Sequence, residues 1–235
     1  MSKEDKPIKF DFSAIMASSV HDMKNSIQLL LGTLDEVIDD LPADAQPSTK
    51  ILQAEAEGRR INDQLIQLLT LYKTGNTQQS LRLSEHNIHE FLDEVLIENQ
   101  ALLSLRGIEL NITCDEEIAW FFDRELLKGV INNLITNAQQ YANNKIQLST
   151  IIHNKKLRLY IDDNGPGYPN TMLKRYHEPD EIMASEHSSE SGGTGLGLFF
   201  SATIVHLHKN RNERGYLQTS NEGIDGGARC TIVLP

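Results

Sequence analysis

Two stretches near the N-terminus of the chain repeat apolar residues in alternating steps of four and three. In the first stretch these positions are Met16, Val20, Met23, Ile27, Leu30, Leu34, Val37 and Leu41. In the second stretch they are Ile51, Ala54, Gly58, Ile61, Leu65, Leu68 and Tyr72. Apolar residues at this seven-residue period pack knobs into holes between neighbouring helices. The pattern therefore predicts two helices between residues 10 and 73, joined by a turn-rich connection over residues 42–49.

Two amphipathic helices alone bury too little apolar surface to be stable. Two copies that assemble into a four-helix bundle remove this difficulty. We therefore predict a homodimer built on an α-helical hairpin. A hairpin that lies on the second half of its own chain is the alternative.

The pattern of the chain changes after a polar linker at residues 74–80. Helices are expected at residues 88–105 and 124–141, and a third from about residue 194 to 208. Strands are expected at residues 108–113, 118–122, 146–153, 156–162, 215–220 and 228–234, with Asn154 and Lys155 forming a hairpin turn. Residues 165–193 form a long polar segment that is typical of a lid or of disorder. These features predict a helical hairpin at residues 1–73 and an α/β domain at residues 81–235.

Composition argues against several classes of partner. The chain has 22 Lys and Arg, 33 Asp and Glu, and a net charge of −11 without a basic stripe, so nucleic acid is a poor candidate. No apolar run approaches the roughly 18 to 20 residues of a membrane-spanning helix, and the charged N-terminus does not resemble a signal peptide. Two distant cysteines fit a reducing compartment, which predicts a cytoplasmic protein. A nucleotide is still a possible ligand, because backbone amides and a metal ion can hold its phosphates.

Three polar motifs in the second half point to a phosphate ligand. Asn133 and Asn137 project from one face of the predicted helix, and amides can bond phosphate or ligate Mg²⁺. The DNGPG motif at residues 163–167 follows a strand, and the carboxylate of Asp163 can accept a hydrogen bond from an exocyclic amine. The GGTGLGL motif at residues 192–198 opens a helix whose free amides can hold an anion. Each motif alone is also compatible with an ordinary helix face, turn or glycine loop.

Together and in this order, the motifs resemble the Bergerat ATP-binding fold of histidine kinases, type II topoisomerases, mismatch-repair ATPases and heat-shock-90 chaperones. Residues 132–138 resemble its N box, and residues 163–167 and 193–198 resemble its two Gly boxes. The resemblance implies an α/β sandwich that binds ATP between the Asn helix and a mobile lid. It also implies that Asn137 coordinates Mg²⁺, that Asn133 assists at the phosphates and that Asp163 reads adenine. The other nucleotide-binding residues that it implies are Tyr141, Gly165, Gly167, Gly193, Thr194, Gly195, Leu196, Gly197 and Leu198.

A fourth motif favours the histidine kinases among these families. HDMKN at residues 21–25 resembles the phosphoacceptor H box, and a seam through Val20 places His21 and Asn25 together on the outer face of the helix. The resemblance, which covers the chain from about residue 11 to its end, assigns Asp22 to orient and deprotonate the imidazole. It implies autophosphorylation of His21 by ATP and transfer of the phosphoryl group to an aspartate of a response-regulator receiver domain. Asn25 would position water for a phosphatase reaction, and a separate sensory protein or domain would supply the signal.

Two departures from the family pattern leave alternatives open. Residues 177–180 lack the aromatic side chains that many lids carry, and Gln139 and Gln140 occupy a region where many relatives place a cation. Loss of a cation weakens stabilisation of the transition-state charge, although Lys174 or Arg175 could compensate. The first alternative is a histidine phosphotransferase or phosphatase with a weakened kinase domain. The second is a Bergerat-fold ATPase or serine kinase that uses no phospho-histidine.

Overall fold

The structure is a computed structural model of the 235-residue chain. It describes residues 12–39, 81–176 and 196–235, and the single positions Ile51, Ala54, Gly58, Ile61, Asn62 and Leu65. The chain divides into two compact units, Met1–Gln79 and Ser80–Pro235. Among the described residues, no helix has both the length and the apolarity that crossing a bilayer requires.

The first unit is built on a long helix, α1, which spans Phe12–Asp39. On its inner side Val20 and Leu31 are buried, and half-buried positions continue the same row at Lys24, Ile27, Leu34 and Ile38. This row has the predicted steps of four and three. The single described positions of the second stretch are also helical. A Cβ built on Gly58 would lie 3.0 Å from Cδ2 of Leu31, so the two helical stretches pack closely at this point.

The predicted seam of α1 differs from the inner row at three positions. Met23, Leu30 and Val37 are 54%, 50% and 44% exposed, whereas the inner row uses the residue that follows each of them. A helix in a four-helix bundle contacts more than one neighbour, so its apolar stripe is wider than a single seam. Packing within one chain therefore covers only one edge of the stripe. The seam side chains of Met16, Leu41, Leu68 and Tyr72, and the connection at residues 42–49, lie outside the described residues.

The second unit contains three described helices and ten strands. The helices are α2 (Ile88–Leu105), α3 (Arg124–Tyr141) and α4 (Leu196–Leu207). The strands are β1 (Ser84–Asn87), β2 (Glu109–Thr113), β3 (Ala119–Phe122), β4 (Lys145–His153), β5 (Lys156–Asp163), β6 (Arg175–Tyr176), β7 (Lys209–Asn210), β8 (Glu213–Arg214), β9 (Tyr216–Ser220) and β10 (Arg229–Leu234). Two short 3-10 helices lie at Asn170–Met172 and Ile224–Gly226.

Six of the strands form one mixed sheet in the order β2-β4-β5-β10-β9-β6. Strands β2 and β4 are parallel, and the other neighbours are antiparallel. Helix α3 turns six buried residues to the core, namely Leu127, Val130, Ile131, Leu134, Ile135 and Ala138. On the sheet, Leu157, Leu159 and Ile161 of β5 are buried at alternate positions, as expected for one face against a core. The predicted mixed α/β architecture of the ATPase-type domain is confirmed.

Side-chain caps explain why two predicted helices match the observed bounds. The side chain of Asn87 accepts a hydrogen bond from the backbone N–H of Glu90 at the start of α2. The side chain of Asp123 accepts one from Leu126 at the start of α3. Each cap satisfies a backbone donor that has no partner within the helix. The predicted hairpin turn is also present, with φ of 51° at Asn154 and 59° at Lys155 between β4 and β5.

Several short strands were not predicted. Strand β1 pairs with β3 as a two-stranded ribbon outside the main sheet, and β7 pairs with β8 as a second ribbon. Strand β6 adds two residues to the edge of the main sheet. These strands have two to four mostly polar residues, so they lack the apolar alternation that identifies a strand. Residues 177–193 of the predicted lid lie outside the described residues.

Candidate nucleotide-binding site

Helix α3 presents its two predicted site residues one turn apart. Asn133 and Asn137 are both half-buried on this helix. The neighbouring Asn132 faces α2 instead, where its Oδ1 accepts a hydrogen bond of 2.9 Å from Nδ2 of Asn99. The repeated asparagines of the motif therefore serve two purposes, since Asn132 joins two helices and Asn133 and Asn137 occupy the candidate site.

The first turn of α4 lies directly against Asn133. A Cβ built on Gly197 would lie 2.5 Å from Oδ1 of Asn133, so only glycine fits at this position without a shift. One turn later, Oγ of Ser201 accepts a hydrogen bond of 2.9 Å from Nδ2 of Asn133. The next residue of the predicted motif, Leu198, is buried and packs in the core. Gly193, Thr194, Gly195 and the side chain of Leu196 lie outside the described residues.

Asp163 ends β5 and is only 5% exposed. Its Oδ1 accepts hydrogen bonds from the backbone N–H groups of Gly165, at 2.7 Å, and Ala228, at 3.4 Å. Burial raises the pKa of this carboxyl above its ordinary value, although the two backbone bonds act in the opposite direction. Within the described part of the chain both bonds go to Oδ1, so Oδ2 is the oxygen that can accept from a ligand amine.

The two glycines after Asp163 are required by close contacts. A Cβ on Gly165 would lie 2.4 Å from the carbonyl oxygen of Tyr141, so this turn packs against the C-terminal end of α3. Gly167 has φ of +81°, and a Cβ there would lie 2.7 Å from Oδ1 of Asn221. The side chain of Tyr141 is 47% exposed. The turn that carries Asp163 and the helix that carries Asn137 are thereby fixed to each other.

Asn164 joins these elements, although the motif reading gave it no role. Its Oδ1 accepts from the backbone N–H groups of Asn143 and Asn144, each at 3.1 Å, and of Lys145 at 3.0 Å. Its Nδ2 donates to Oδ1 of Asn144 at 2.8 Å. The side chain therefore holds the loop after α3 onto the turn at the end of β5. The only sequence signal for this role is an asparagine between Asp163 and a glycine, which is typical of turns.

Tyr168 is a second residue that sequence reasoning missed. Burial raises the pKa of its phenol well above the ordinary value, and the charges of Cys230 and Asp163 act in the same direction. Oδ1 of Asn221 accepts from the backbone N–H of Tyr168 at 2.7 Å, and Nδ2 of Asn221 donates to its carbonyl oxygen at 3.1 Å. Asn221 therefore holds the backbone of Tyr168 on both sides.

The predicted phosphoacceptor residues lie in α1 of the other unit. Its helical backbone includes His21, Asp22 and Asn25, and the side chain of Asn25 is exposed. The side chains of His21 and Asp22 lie outside the described residues. The proximity of His21 to the nucleotide site is therefore part of the proposal below.

The residues that replace the missing cation, and those that were expected to compensate for it, are only partly described. Gln139 and Gln140 lie in the last turn of α3, and the ammonium group of Lys174 lies 5.0 Å above the ring of Tyr176. The side chain of Arg175 lies outside the described residues.

A surface groove of about 490 Å³ lies elsewhere on the second unit. Its lining includes Trp120 and Phe121 of β3, His208 and the C-terminal Pro235, and it contains none of the predicted nucleotide-binding residues. Three or more His, Cys, Asp or Glu side chains do not cluster anywhere in the described ranges in a way that could hold a metal ion.

Residues 122–235 match the family described as histidine kinase-, DNA gyrase B- and HSP90-like ATPases. The signal transduction histidine-protein kinase BaeS of Escherichia coli (strain K12) is 26% identical over 236 residues, which are 99% of this chain and 48% of that protein. The sensor histidine kinase RppB of Synechocystis sp. is 26% identical over 226 residues, with 93% of this chain and 48% of that protein covered. The second half of the chain is thus similar to this ATPase family, and nearly the whole chain is similar to sensor histidine kinases.

Two solved structures share the fold of this chain. The kinase AdeS of Acinetobacter baumannii has a TM-score of 0.59 and 23% identity, over 91% of this chain and 96% of that one. Full-length ShkA in complex with AMPPNP has a TM-score of 0.64 and 16% identity, over 95% of this chain and 46% of that one. The chain spans about half the length of the curated relatives BaeS and RppB.

Proposed function

We propose that this chain is the core of a sensor histidine kinase that transfers the γ-phosphoryl group of ATP to His21. The observation that carries the proposal is the meeting of three distant motifs at α3. Gly197 lies against Asn133, and Gly165 lies against the carbonyl oxygen of Tyr141. A Cβ at either position would force a neighbouring atom to shift, so glycine is what lets both motifs pack this closely against α3.

The side chains of this site fit a purine nucleotide. Asp163 presents a buried carboxylate oxygen that would accept from the exocyclic amine of adenine. Gly165, Gly167 and Tyr141 would form the adjacent wall, and Asn133 would bind phosphate oxygens. The segment Gly193, Thr194, Gly195, Leu196, Gly197 and Leu198 would close over the phosphates.

The amide oxygen of Asn137 fits a Mg²⁺ ion. This side chain is half-buried one helical turn from Asn133, and hard oxygen ligands are what Mg²⁺ prefers. When bound, Mg²⁺ would neutralise part of the charge on the triphosphate. The role of Asn137 is then to hold the ion close to the phosphates that Asn133 would bind.

The transfer step requires an imidazole nitrogen of His21 and a neighbouring acceptor. The nitrogen forms a bond to the γ-phosphorus while the bond to the ADP oxygen breaks, and ADP leaves. Asp22 would orient the ring and accept its proton. The phosphoryl group would then pass to an aspartate of a response-regulator receiver domain. Asn25 would position a water molecule that hydrolyses this phospho-aspartate to aspartate and inorganic phosphate, which is a phosphatase reaction. The acting species would be a cytoplasmic homodimer that a separate sensory protein or domain controls.

A phosphotransferase or phosphatase with a weakened kinase domain is the second candidate. It is favoured by one observation, because the last turn of α3 offers Gln139 and Gln140 where a cation would stabilise the transferred phosphoryl group. This candidate keeps the role of His21 but makes another kinase the source of its phosphate.

Labelled ATP tests the proposal directly. The wild-type chain with Mg²⁺ is expected to acquire an acid-labile label that is absent from His21→Gln. The matched control His153→Gln removes an exposed histidine at the end of β4 and should label like the wild type.

Three outcomes would separate the candidates. Nucleotide binding without label would favour the phosphotransferase, which should still accept phosphate from a phosphorylated receiver domain. Label that persists in His21→Gln would contradict the assignment of His21 as the phosphoacceptor. Hydrolysis of ATP that is unchanged in His21→Gln would favour an ATPase that uses no phospho-histidine.

A further inference from the structure

We infer that Ser201 is a positioning residue for nucleotide binding. It holds the amide group of Asn133 and so joins α4 to the middle of α3. This inference rests on the proposed function and adds a residue that none of the four motifs contains.

The hydrogen bond fixes the position of the Asn133 amide group. Nδ2 of Asn133 donates to Oγ of Ser201 at 2.9 Å, across 68 positions of the sequence. An asparagine amide can rotate by half a turn and exchange its donor and its acceptor at little steric cost. The Ser201 hydroxyl group can bond either end of the amide, so the hydrogen bond fixes where the amide group lies against α4 in both rotational states.

Burial makes this hydrogen bond consequential. Ser201 is 0% exposed, so no solvent competes for its hydroxyl group. A buried polar group that loses its hydrogen-bond partner destabilises the folded protein by the full cost of removing that group from water. The amide of Asn133 is therefore held more firmly than a bond of the same length at the surface would hold it.

The geometry of α4 places Ser201 beside the glycine motif. Gly197 and Ser201 are separated by one turn and both face Asn133. The tight contact at Gly197 sets the distance between the two helices, and the bond from Asn133 to Ser201 holds the amide group against α4. Both elements that carry phosphate-binding residues are thus held together through one side chain.

A neighbouring hydroxyl group provides a matched control. Thr203 lies on the same helix, but its Oγ1 donates to the carbonyl oxygen of Phe199 at 2.8 Å and is not bonded to Asn133. Thr203→Ala removes a hydroxyl group from α4 and leaves the Asn133 contact intact.

The experiment is a titration of the full chain with AMPPNP and Mg²⁺, with thermal unfolding measured on each variant. Ser201→Ala is expected to weaken binding by about threefold to tenfold, the range for loss of one net hydrogen bond. Ser201→Thr keeps the hydroxyl group and should restore most of the affinity, and Thr203→Ala should bind like the wild type.

A double-mutant cycle separates positioning from packing. In an Asn133→Ala background, Ser201→Ala should cause no further loss of affinity, because the group that it positions has gone. An equal loss in both backgrounds would overturn the inference, as would unchanged affinity in Ser201→Ala alone. If Ser201→Ala does not unfold cooperatively, Ser201→Cys keeps the size and weakens the acceptor, and it carries the same comparison.

The failure of the proposed function is distinguishable from the failure of this inference. If the wild-type chain does not bind AMPPNP with Mg²⁺, the assignment of the nucleotide site is wrong, and the inference about Ser201 is wrong as well. If the wild type binds and the cycle shows no coupling between Ser201 and Asn133, only the positioning role is wrong.

Discussion

Asp163 illustrates a conflict between stability and binding at a single residue. Burial raises the pKa of its carboxyl, so the folded chain holds a proton over a pH range in which the unfolded chain has lost it. Stability from this group therefore falls as the pH rises through the window above 3.8, the ordinary pKa. At neutral pH the charged carboxylate is a cost to folding that a ligand amine would offset.

We therefore expect Asp163→Asn to separate the two properties. The amide oxygen can still accept from Gly165 and Ala228, so the melting temperature should hold or rise. Affinity for AMPPNP should fall by roughly 10- to 100-fold, the range for a hydrogen bond to a charged group. Calorimetric titration measures the affinity, and an unchanged value would exclude Asp163 as the adenine-reading residue.

The adjacent Asp162 supplies a control for this swap. It accepts two hydrogen bonds of 2.7 Å from Arg229. Asp162→Asn should lower the melting temperature by weakening this ion pair and leave nucleotide affinity close to that of the wild type.

Substitution by alanine is expected to change stability in opposite directions at Gly165 and at Gly129. A Cβ on Gly165 would lie 2.4 Å from a backbone oxygen, so Gly165→Ala should destabilise the domain by about 1–3 kcal/mol. A Cβ on Gly129, inside α3, would meet Phe200 at an ordinary 3.9 Å. Gly129→Ala should therefore stabilise by about 0.5–1 kcal/mol, because alanine is the better helix former. Denaturant unfolding measures both, and a neutral Gly165→Ala would contradict the close contact.

Sequence reasoning found the residues that act through local pattern and missed those that act across the fold. The asparagine spacing in α3 and the turn after β5 are short-range signals, so Asn133, Asn137 and Asp163 could be proposed from them. Ser201 and Asn164 have contacts 68 and about 20 positions away, and no local feature indicates such a partner. A buried serine in an apolar helix looks like any small core residue.

At the scale of elements, a buried histidine fastens α4 to α3. His208 is 2% exposed, and its Nε2 accepts from the backbone N–H of Asp123, the residue that caps α3, at 3.1 Å. Its Nδ1 lies 2.8 Å from the carbonyl oxygen of Ile204, so that nitrogen carries the proton and the ring is neutral. Burial lowers the pKa of His208 below its ordinary 6.5, although the Ile204 carbonyl and Asp123 act in the opposite direction.

Stability is therefore expected to depend on pH through His208. Below about pH 6.5 the unfolded chain binds a proton that the folded ring rejects, so stability falls as the pH drops. The melting temperature should fall as the pH is lowered from about 7 to about 5.5. His208→Gln should make the melting temperature depend less on pH over this range. His153→Gln, at an exposed position, should keep the wild-type slope. An identical slope in His208→Gln would contradict the neutral, buried ring.

Element predictions succeeded where caps and periodicity agree. Helices α2 and α3 begin directly after the capping residues Asn87 and Asp123, and both have regular apolar faces. Strand β1 was missed because its sequence, SEHN, has no apolar alternation and is defined by its pairing with β3. Backbone pairing between distant polar segments leaves no trace in a single sequence.

At the scale of the whole molecule, the exposed row on α1 predicts the oligomeric state. Met23, Leu30 and Val37 recur every seven residues and are about half exposed in the single chain. A second copy would cover this row as a four-helix bundle does. The hairpin alone cannot do so, because its inner contacts already use Val20 and Leu31.

We expect Leu30→Lys to reduce the mass in solution to that of a monomer, because an unpaired charge in an apolar interface is strongly unfavourable. Light scattering after size exclusion measures this mass. Leu29→Lys is the control, since Leu29 is 75% exposed and lies outside both rows. A wild-type monomer, or equal effects of the two lysines, would contradict the proposed dimer.

The chain's single tryptophan, Trp120, shares a groove with His208 and the last residue, Pro235. Its indole is half-buried there, so its emission wavelength registers local polarity. The protein thus contains an intrinsic fluorophore that lines the same groove as the buried imidazole. Protonation of that imidazole could be followed optically in an unlabelled sample, without a probe in the nucleotide pocket.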